Sequence, residues 1–199
     1  MYMEFESARL GILGGMGPQA TQIFYQRVID RTQAERDQEH VPTLIWSDSL
    51  IPDRTAYLLS GRGEEVYEKL REDASLLEQS GCTVIAIPCN TSHYFVERLG
   101  GDVGIAILNM IRETVLTIPS DKGTKVGILA TDGTVQMGLY QKECELAGLC
   151  AVIPPDDIQQ IVMSIIYDEI KRGEPGSREK FSQVDKSLRD LGCTCAILG

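Results

Sequence analysis

The chain has 199 residues, 43% apolar and 24% charged, enough to bury a substantial core as one domain or as two small ones. Lys plus Arg is 19 and Asp plus Glu is 29, and the net charge of −10 argues against a phosphate-backbone binder. No apolar run approaches the roughly 20 residues of a membrane span, and the first seven residues lack the basic and apolar regions of a secretory leader. The expectation is a cytoplasmic protein with no nucleic-acid or membrane partner. Any anionic ligand would then have to be held by a few local cations.

In chain order, Leu10–Leu13 is a short apolar run that ends in Gly14-Gly15-Met16-Gly17-Pro18. Strand, tight turn and helix is the natural reading, with Pro18 in the first helical turn. Helical periodicity follows over Thr21–Thr32, at Ile23, Phe24, Val28 and Ile29. Thr43–Trp46 reads as a second strand and Ser47–Thr55 as a loop. Glu64–Gln79 predicts an amphipathic helix with Val66, Leu70, Leu76 and Leu77 inward. Val84–Ile87 is an unbroken apolar strand, buried on both faces. Val103–Ile107 suggests a fourth strand, and Ile111–Ile118 a helix.

The pattern then begins again. Val126–Thr134 can be laid on Leu10–Pro18 at an offset of 116, and Gly192-Cys193-Thr194 on Gly81-Cys82-Thr83 at 111. Two matches in the same order at nearly the same spacing suggest an internal duplication, although buried strand–helix units also resemble one another by composition. Alternating strands and helices predict an α/β class with mainly parallel sheets. The division expected is a first α/β domain over residues 1–112 and a second over 113–199. Ligands in such sheets bind at the carboxyl ends of strands.

Six cysteines occur, at 82, 89, 144, 150, 193 and 195. A chain of this size does not depend on disulfides, so the expected compartment is reducing. Cys82 and Cys193 fall in apolar strands, where a thiol is a small buried hydrophobe. Cys193-Thr194-Cys195 has one intervening residue and no nearby His or second Cys pair, so no metal is expected.

Cys89 is the strongest chemical candidate. It follows a buried strand and Pro88 and precedes Asn90-Thr91-Ser92-His93. A helix starting here would favour its thiolate, and His93 would orient the loop or donate a proton. The plain alternatives are an inert buried thiol, with Asn90 and Thr91 as helix caps. The run from Gly14 to Pro18 is not Gly-x-Gly-x-x-Gly, and Asp48 comes too late for a dinucleotide site. Its backbone N–H groups suit a small carboxylate, and Met16 in this turn is placed with the ligand-binding residues. Arg54, in Pro-Asp-Arg-Thr, has the planar fork that grips a carboxylate; otherwise it is held by Asp53 or solvated. Lys171 follows a helical stretch, Ile161–Ile170, where a cation also serves the helix end. Thr131, Gly133 and Thr134 offer hydroxyls and amides equivalent to the first glycine loop.

Five segments in order, residues 11–21, 51–55, 88–93, 129–134 and 166–173, resemble the aspartate/glutamate racemase family, most of all its aspartate racemase branch. The resemblance implies a cofactor-independent racemase of two similar α/β domains with the active site in the cleft between them, and carries a homodimer as an expectation. It implies Cys89 as one of two thiols that exchange the α-proton of an acidic amino acid, most readily aspartate. It implies Arg54 and Lys171 as carboxylate ligands, with Asn90, Thr91, Thr131, Gly133 and Thr134 around the substrate. The offset sets Cys193 against Cys82, about 7 residues or on the order of 20 Å from the carboxyl end of its strand. The second thiol would then follow Gly199, and the expectation is a chain cut before it and impaired in activity. Ser47-Asp48-Ser49 stands where the family often has asparagine, which leaves side-chain preference open. Competing expectations are a cysteine-dependent decarboxylase or isomerase of the same fold, and a non-catalytic amino-acid-binding protein.

Overall fold

A computed structural model of the chain describes residues 8–119 and 123–199. The opening segment read for a leader lies outside them. The chain divides into two compact units between Met110 and Ile111.

The first unit begins with β1 (Leu10–Gly14), buried at every position. After α1 (Pro18–Arg31) come β2 (Thr43–Ser47), α2 (Arg54–Leu59), α3 (Gly63–Gln79), β3 (Val84–Ala86), α4 (Val96–Asp102) and β4 (Ala106–Ile107). All four strands are parallel, in the order β2-β1-β3-β4. One face of the sheet packs Leu13, Ile85 and Ile87 against Val66, Leu70, Ala74 and Leu77 of α3. The other packs Leu10, Ile12, Val84 and Ala86 against Phe24, Tyr25 and Val28 of α1. Burial on both faces explains why β1 and β3 read as continuous apolar runs.

Val66, Leu70, Ala74 and Leu77 form one stripe at helical spacing and are fully buried. Leu76, expected inward, lies one position off that stripe and is 40% exposed. The expected loop over Ser47–Thr55 ends in a helix instead. Asp53 caps α2, its carboxylate accepting the Ala56 N–H at 2.8 Å, so Arg54 is a helical residue. Strand β4 is shorter than Val103–Ile107, because α4 runs on to Asp102. Strand β2 is the sheet's edge, uncharged, with Leu44, Ile45 and Trp46 all exposed.

The second unit holds α5 (Met110–Leu116, which starts one residue before the division), β5 (Lys125–Leu129), α6 (Asp132–Gln136), α7 (Leu139–Leu146), β6 (Cys150–Val152), α8 (Asp156–Ser164), α9 (Arg178–Asp190) and β7 (Cys195–Leu198). Its sheet is again parallel, ordered β6-β5-β7. Strand β5 takes the central place of β1, and β7 that of β3. Leu10 is level with Val84 in the first sheet and Val126 with Cys195 in the second, at the offsets of 116 and 111 seen in the sequence. The entry turns match bond for bond. Cys82 N–H donates to Leu77 O at 3.1 Å and Cys193 N–H to Leu188 O at 2.9 Å; Thr83 N–H donates to Arg9 O and Thr194 N–H to Lys125 O.

This corrects one expectation. Cys82 and Cys193 are not inside strands but in the turns ahead of β3 and β7. A second correction concerns Ile161–Ile170. Helix α8 ends at Ser164, and a single π-helical turn (Ile165–Glu169) and a 3-10 turn (Ile170–Arg172) complete the segment before Gly173, at φ +81°. Among the described residues no helix is long and apolar enough to cross a membrane.

Candidate active site

At the carboxyl end of β1 the chain turns within van der Waals reach of the end of β2. Gly15 has φ +90°, and a Cβ there would lie 2.3 Å from the Asp48 carbonyl carbon, so only glycine fits. Its N–H donates to Thr21 Oγ1 at 2.9 Å, and that hydroxyl donates to Gly17 O at 3.0 Å. Met16 is buried, so the face it offers is its backbone.

That backbone holds Arg54. The guanidinium donates to Met16 O (3.1 Å), Ile51 O (3.2 Å) and Pro52 O (3.0 Å). Arg54 is only 9% exposed, and its Nε is buried with no hydrogen-bond partner. Arg54 is not solvated, and Asp53, the other partner expected from the sequence, caps α2 through Oδ1. Three neutral carbonyls fix the fork without neutralising it, which leaves a positive charge at the sheet's carboxyl edge for an anion to use.

Gly15 and Cys89 each lie three residues past the last paired residues of β1 and β3, Ile12 and Ala86, so both follow the carboxyl ends of neighbouring strands. Cys89 is half-buried against the core, and its N–H donates to Ile87 O at 2.8 Å. A 3-10 turn (Thr91–Phe95) and then α4 follow, with Asn90 at the cap position. Thr91, Ser92 and His93 are all buried. The Ser92 hydroxyl donates to Met16 Sδ at 3.1 Å, tying this turn to the glycine turn. His93 Nδ1 lies 2.8 Å from Cys89 O, and Met110 N–H donates to Nε2 at 3.0 Å. Burial pushes the imidazole below its usual range, against the opposite pull of the Cys89 and Leu108 carbonyls. Of its two expected roles, orienting the loop is the one this geometry serves.

In the second unit the loop after β5 carries Thr131, Gly133 and Thr134. Thr131 caps α6, its hydroxyl accepting the Thr134 N–H at 3.4 Å and lying 3.2 Å from Thr134 Oγ1. Gly133 and Thr134 are buried. Beside the loop, Gln159 donates to Ala130 O (3.0 Å) and Asp132 Oδ1 (2.8 Å), and Asp132 N–H donates to Met163 Sδ. Asp132, Gln159 and Met163 border a cavity of about 630 Å³ that also touches Tyr167 and Asp168, whereas Thr131, Gly133 and Thr134 are not among its lining residues. Lys171 is exposed beyond the π turn, with Nζ 3.7 Å over the Tyr167 ring.

The sequence reading missed Ser92, Gln159 and the π turn. Ser92 was legible only as part of the Cys89 run, and nothing in local spacing marks Gln159 as a partner of Asp132. Cys89, Met16, Arg54, Asn90 and Thr91 all sit at the carboxyl edge of the first sheet. Thr131, Gly133 and Thr134 sit at that edge of the second, and Lys171 follows α8.

Two parallel α/β sheets, each with polar loops at the carboxyl ends of its strands, define an enzyme architecture for small ligands. Comparison with known proteins makes this specific. The family model for Asp/Glu/hydantoin racemases matches residues 13–199, and the chain belongs to that family of isomerases. It is 32% identical over 163 residues to the broad specificity amino-acid racemase RacX of Bacillus subtilis (strain 168), covering 79% of this chain and 69% of that one. Among solved structures it is similar to the aspartate racemase of Picrophilus torridus, at 29% identity and a TM-score of 0.73, over 92% of this chain and 77% of that one. An aspartate racemase homologue from Pyrococcus horikoshii OT3 aligns at 25% identity and a TM-score of 0.73, over 96% of this chain and 84% of that one.

Proposed function

We propose that this chain carries the first proton-transfer group of a cofactor-independent amino-acid racemase, and that aspartate is its preferred substrate. The observation that carries this reading is a half-buried thiol, Cys89, at the same strand-end edge as a pinned guanidinium, Arg54. Arg54 receives a carboxylate of the amino acid, and the glycine turn leaves room for its approach. The Cys89 thiolate takes the α-proton, and the C–H electron pair stays on the substrate as a carbanion spread into the α-carboxylate. Held donors and exclusion of water make that carbanion accessible. A second thiol returns a proton to the opposite face, so the two sulfurs exchange protonation states and nothing is oxidised.

The matching turns ahead of β3 and β7 support reading Cys193 as the counterpart of Cys82 rather than of Cys89. On this reading Thr131, Gly133, Thr134 and Lys171 bind from the second unit, and the working protein is a cytoplasmic homodimer.

Incubation of L- and D-aspartate in D₂O tests the proposal, with α-proton exchange and inversion followed separately. The protein is expected to exchange the α-proton of aspartate with solvent. Cys89→Ala should lower exchange by at least about 100-fold, the scale of a lost general base. Unchanged exchange in Cys89→Ala would overturn the assignment. Aspartate binding without exchange would favour a non-catalytic binding protein.

A further inference from the structure

We propose that His93 is a positioning residue for Cys89, acting through one fixed, uncharged tautomer; this rests on the reading of Cys89 as the proton carrier. Its hydrogen bonds assign the protons. A backbone N–H can only donate, so the Met110 N–H at 3.0 Å requires a lone pair on Nε2. The ring proton is therefore on Nδ1, which donates to the Cys89 carbonyl at 2.8 Å. Both ring nitrogens are spent, and the side chain is 6% exposed. A second proton on Nε2 would oppose the Met110 N–H; the Leu108 carbonyl beside the ring favours that proton, but burial outweighs it and disfavours the charged ring, so the ring does not serve as a proton carrier for substrate.

Three bonds close the turn around the thiol. Cys89 N–H donates to Ile87 O, His93 N–H donates to Asn90 O at 2.9 Å, and the imidazole clasps the Cys89 carbonyl. The Cys89 backbone is thereby held at both its N–H and its C=O, leaving the side chain as its free part. Holding a reacting group in this way matters because misplacement by about 1 Å can cost about 100-fold in rate. The sulfur itself makes no demand on His93. The tether is to the backbone, and it carries out of the turn to Met110, where α5 begins.

Asn and Gln substitutions separate the two bonds. His93→Asn keeps an amide N–H at the Nδ1 position and can still donate to Cys89 O. His93→Gln keeps an acceptor near the Nε2 position and serves Met110 alone. Two readouts apply: aspartate α-proton exchange, and alkylation of Cys89 by iodoacetamide resolved from the other cysteines by peptide mass spectrometry. His93→Asn is expected within about threefold of wild type in both, while His93→Gln loses about tenfold or more in kcat with KM nearly unchanged and shifts Cys89 alkylation by a similar factor. Equal behaviour of the two variants, whether both wild-type or both impaired in step with a lower melting temperature, would overturn the proposal. So would impairment of the Asn variant alone. If Cys89→Ala retains exchange, the catalytic reading fails and the alkylation comparison still judges the tether. Should the variants not fold, ¹⁵N NMR of wild-type His93 decides: a protonated Nδ1 with a bare Nε2 is expected, and the reverse tautomer or a doubly protonated ring near neutral pH overturns it.

Discussion

Arg54 shows how a charge can be held without being spent. Carbonyl oxygens are dipoles, so three of them orient the guanidinium while its net charge stays available. Lysine keeps the charge but not the fork. Arg54→Lys is therefore expected to fold normally and to lower kcat/KM for aspartate exchange by about tenfold or more, chiefly through misplacement of the substrate. Steady-state kinetics check this; an unchanged kcat/KM would mean the carboxylate binds elsewhere. The residue type and its Pro-Asp-Arg-Thr setting were visible in the sequence. The acceptors were not, because Met16 lies 38 positions away and no local pattern connects a glycine turn to the loop after β2.

At the scale of elements, periodicity located α3 well and its boundary face less well. Leu70 and Leu76 are the same residue type in the same helix, yet one is fully buried and the other 40% exposed. Leu70→Ala is expected to cost about 2–5 kcal/mol by removing core contacts and leaving a cavity. Leu76→Ala should stay within about 0.5 kcal/mol. Urea unfolding of both variants checks the pair, and equal costs would mean the helix is rotated from the face described. Helix α2 escaped the reading because six residues are too few to show a period; Asp53 followed by Arg54-Thr55-Ala56 was its one signal, a cap.

Helix α3 anchors the loop that leads to Arg54. Asp48 accepts from Leu50 N–H at 2.8 Å and pairs with Lys69 of α3 at 2.9 Å, and Lys69 also reaches Asp73 at 3.2 Å. Burial pushes the Asp48 carboxyl up, but Lys69 and the Leu50 N–H together outweigh it and hold it below its usual value. A depressed carboxyl stabilises the fold above its unfolded pKa and loses that contribution as pH falls through the folded value. Asp48→Asn should therefore lower the melting temperature at neutral pH, at a cost of about 1 kcal/mol given Lys69's other partners. The difference should vanish as the pH drops below the ordinary carboxylate range. A difference independent of pH would show that Asp48 acts through its shape alone.

For the whole molecule, duplication is the most informative property and also the source of its main decoy. The near-identity of Gly81-Cys82-Thr83 and Gly192-Cys193-Thr194 invites a search for paired catalytic thiols. Strand register removes that reading, because both Cys82 and Cys193 enter their strands rather than leave them. Cys193→Ser should leave aspartate α-proton exchange within about twofold of wild type, as expected of a substitution away from the reacting atoms. Loss on the scale expected for Cys89→Ala would restore Cys193 as a candidate. The two-sheet architecture and the candidate residues at the carboxyl ends of its strands were legible because identity, order and spacing repeat together. Partners of buried polar groups were not, since they depend on which strands become neighbours.

The π turn after α8 has a consequence of its own. A π turn is a helix carrying one residue more than its ladder needs, and such turns are over-represented where function depends on orientation. Each residue of a helix advances the next by about 100°. The direction in which the Lys171 backbone leaves this segment is thus set by a count of residues between Ser164 and Gly173. Lengthening or shortening Ile165–Glu169 by one residue would turn the ammonium to another side without changing a single chemical group. In this segment, insertions and deletions carry information that substitutions do not.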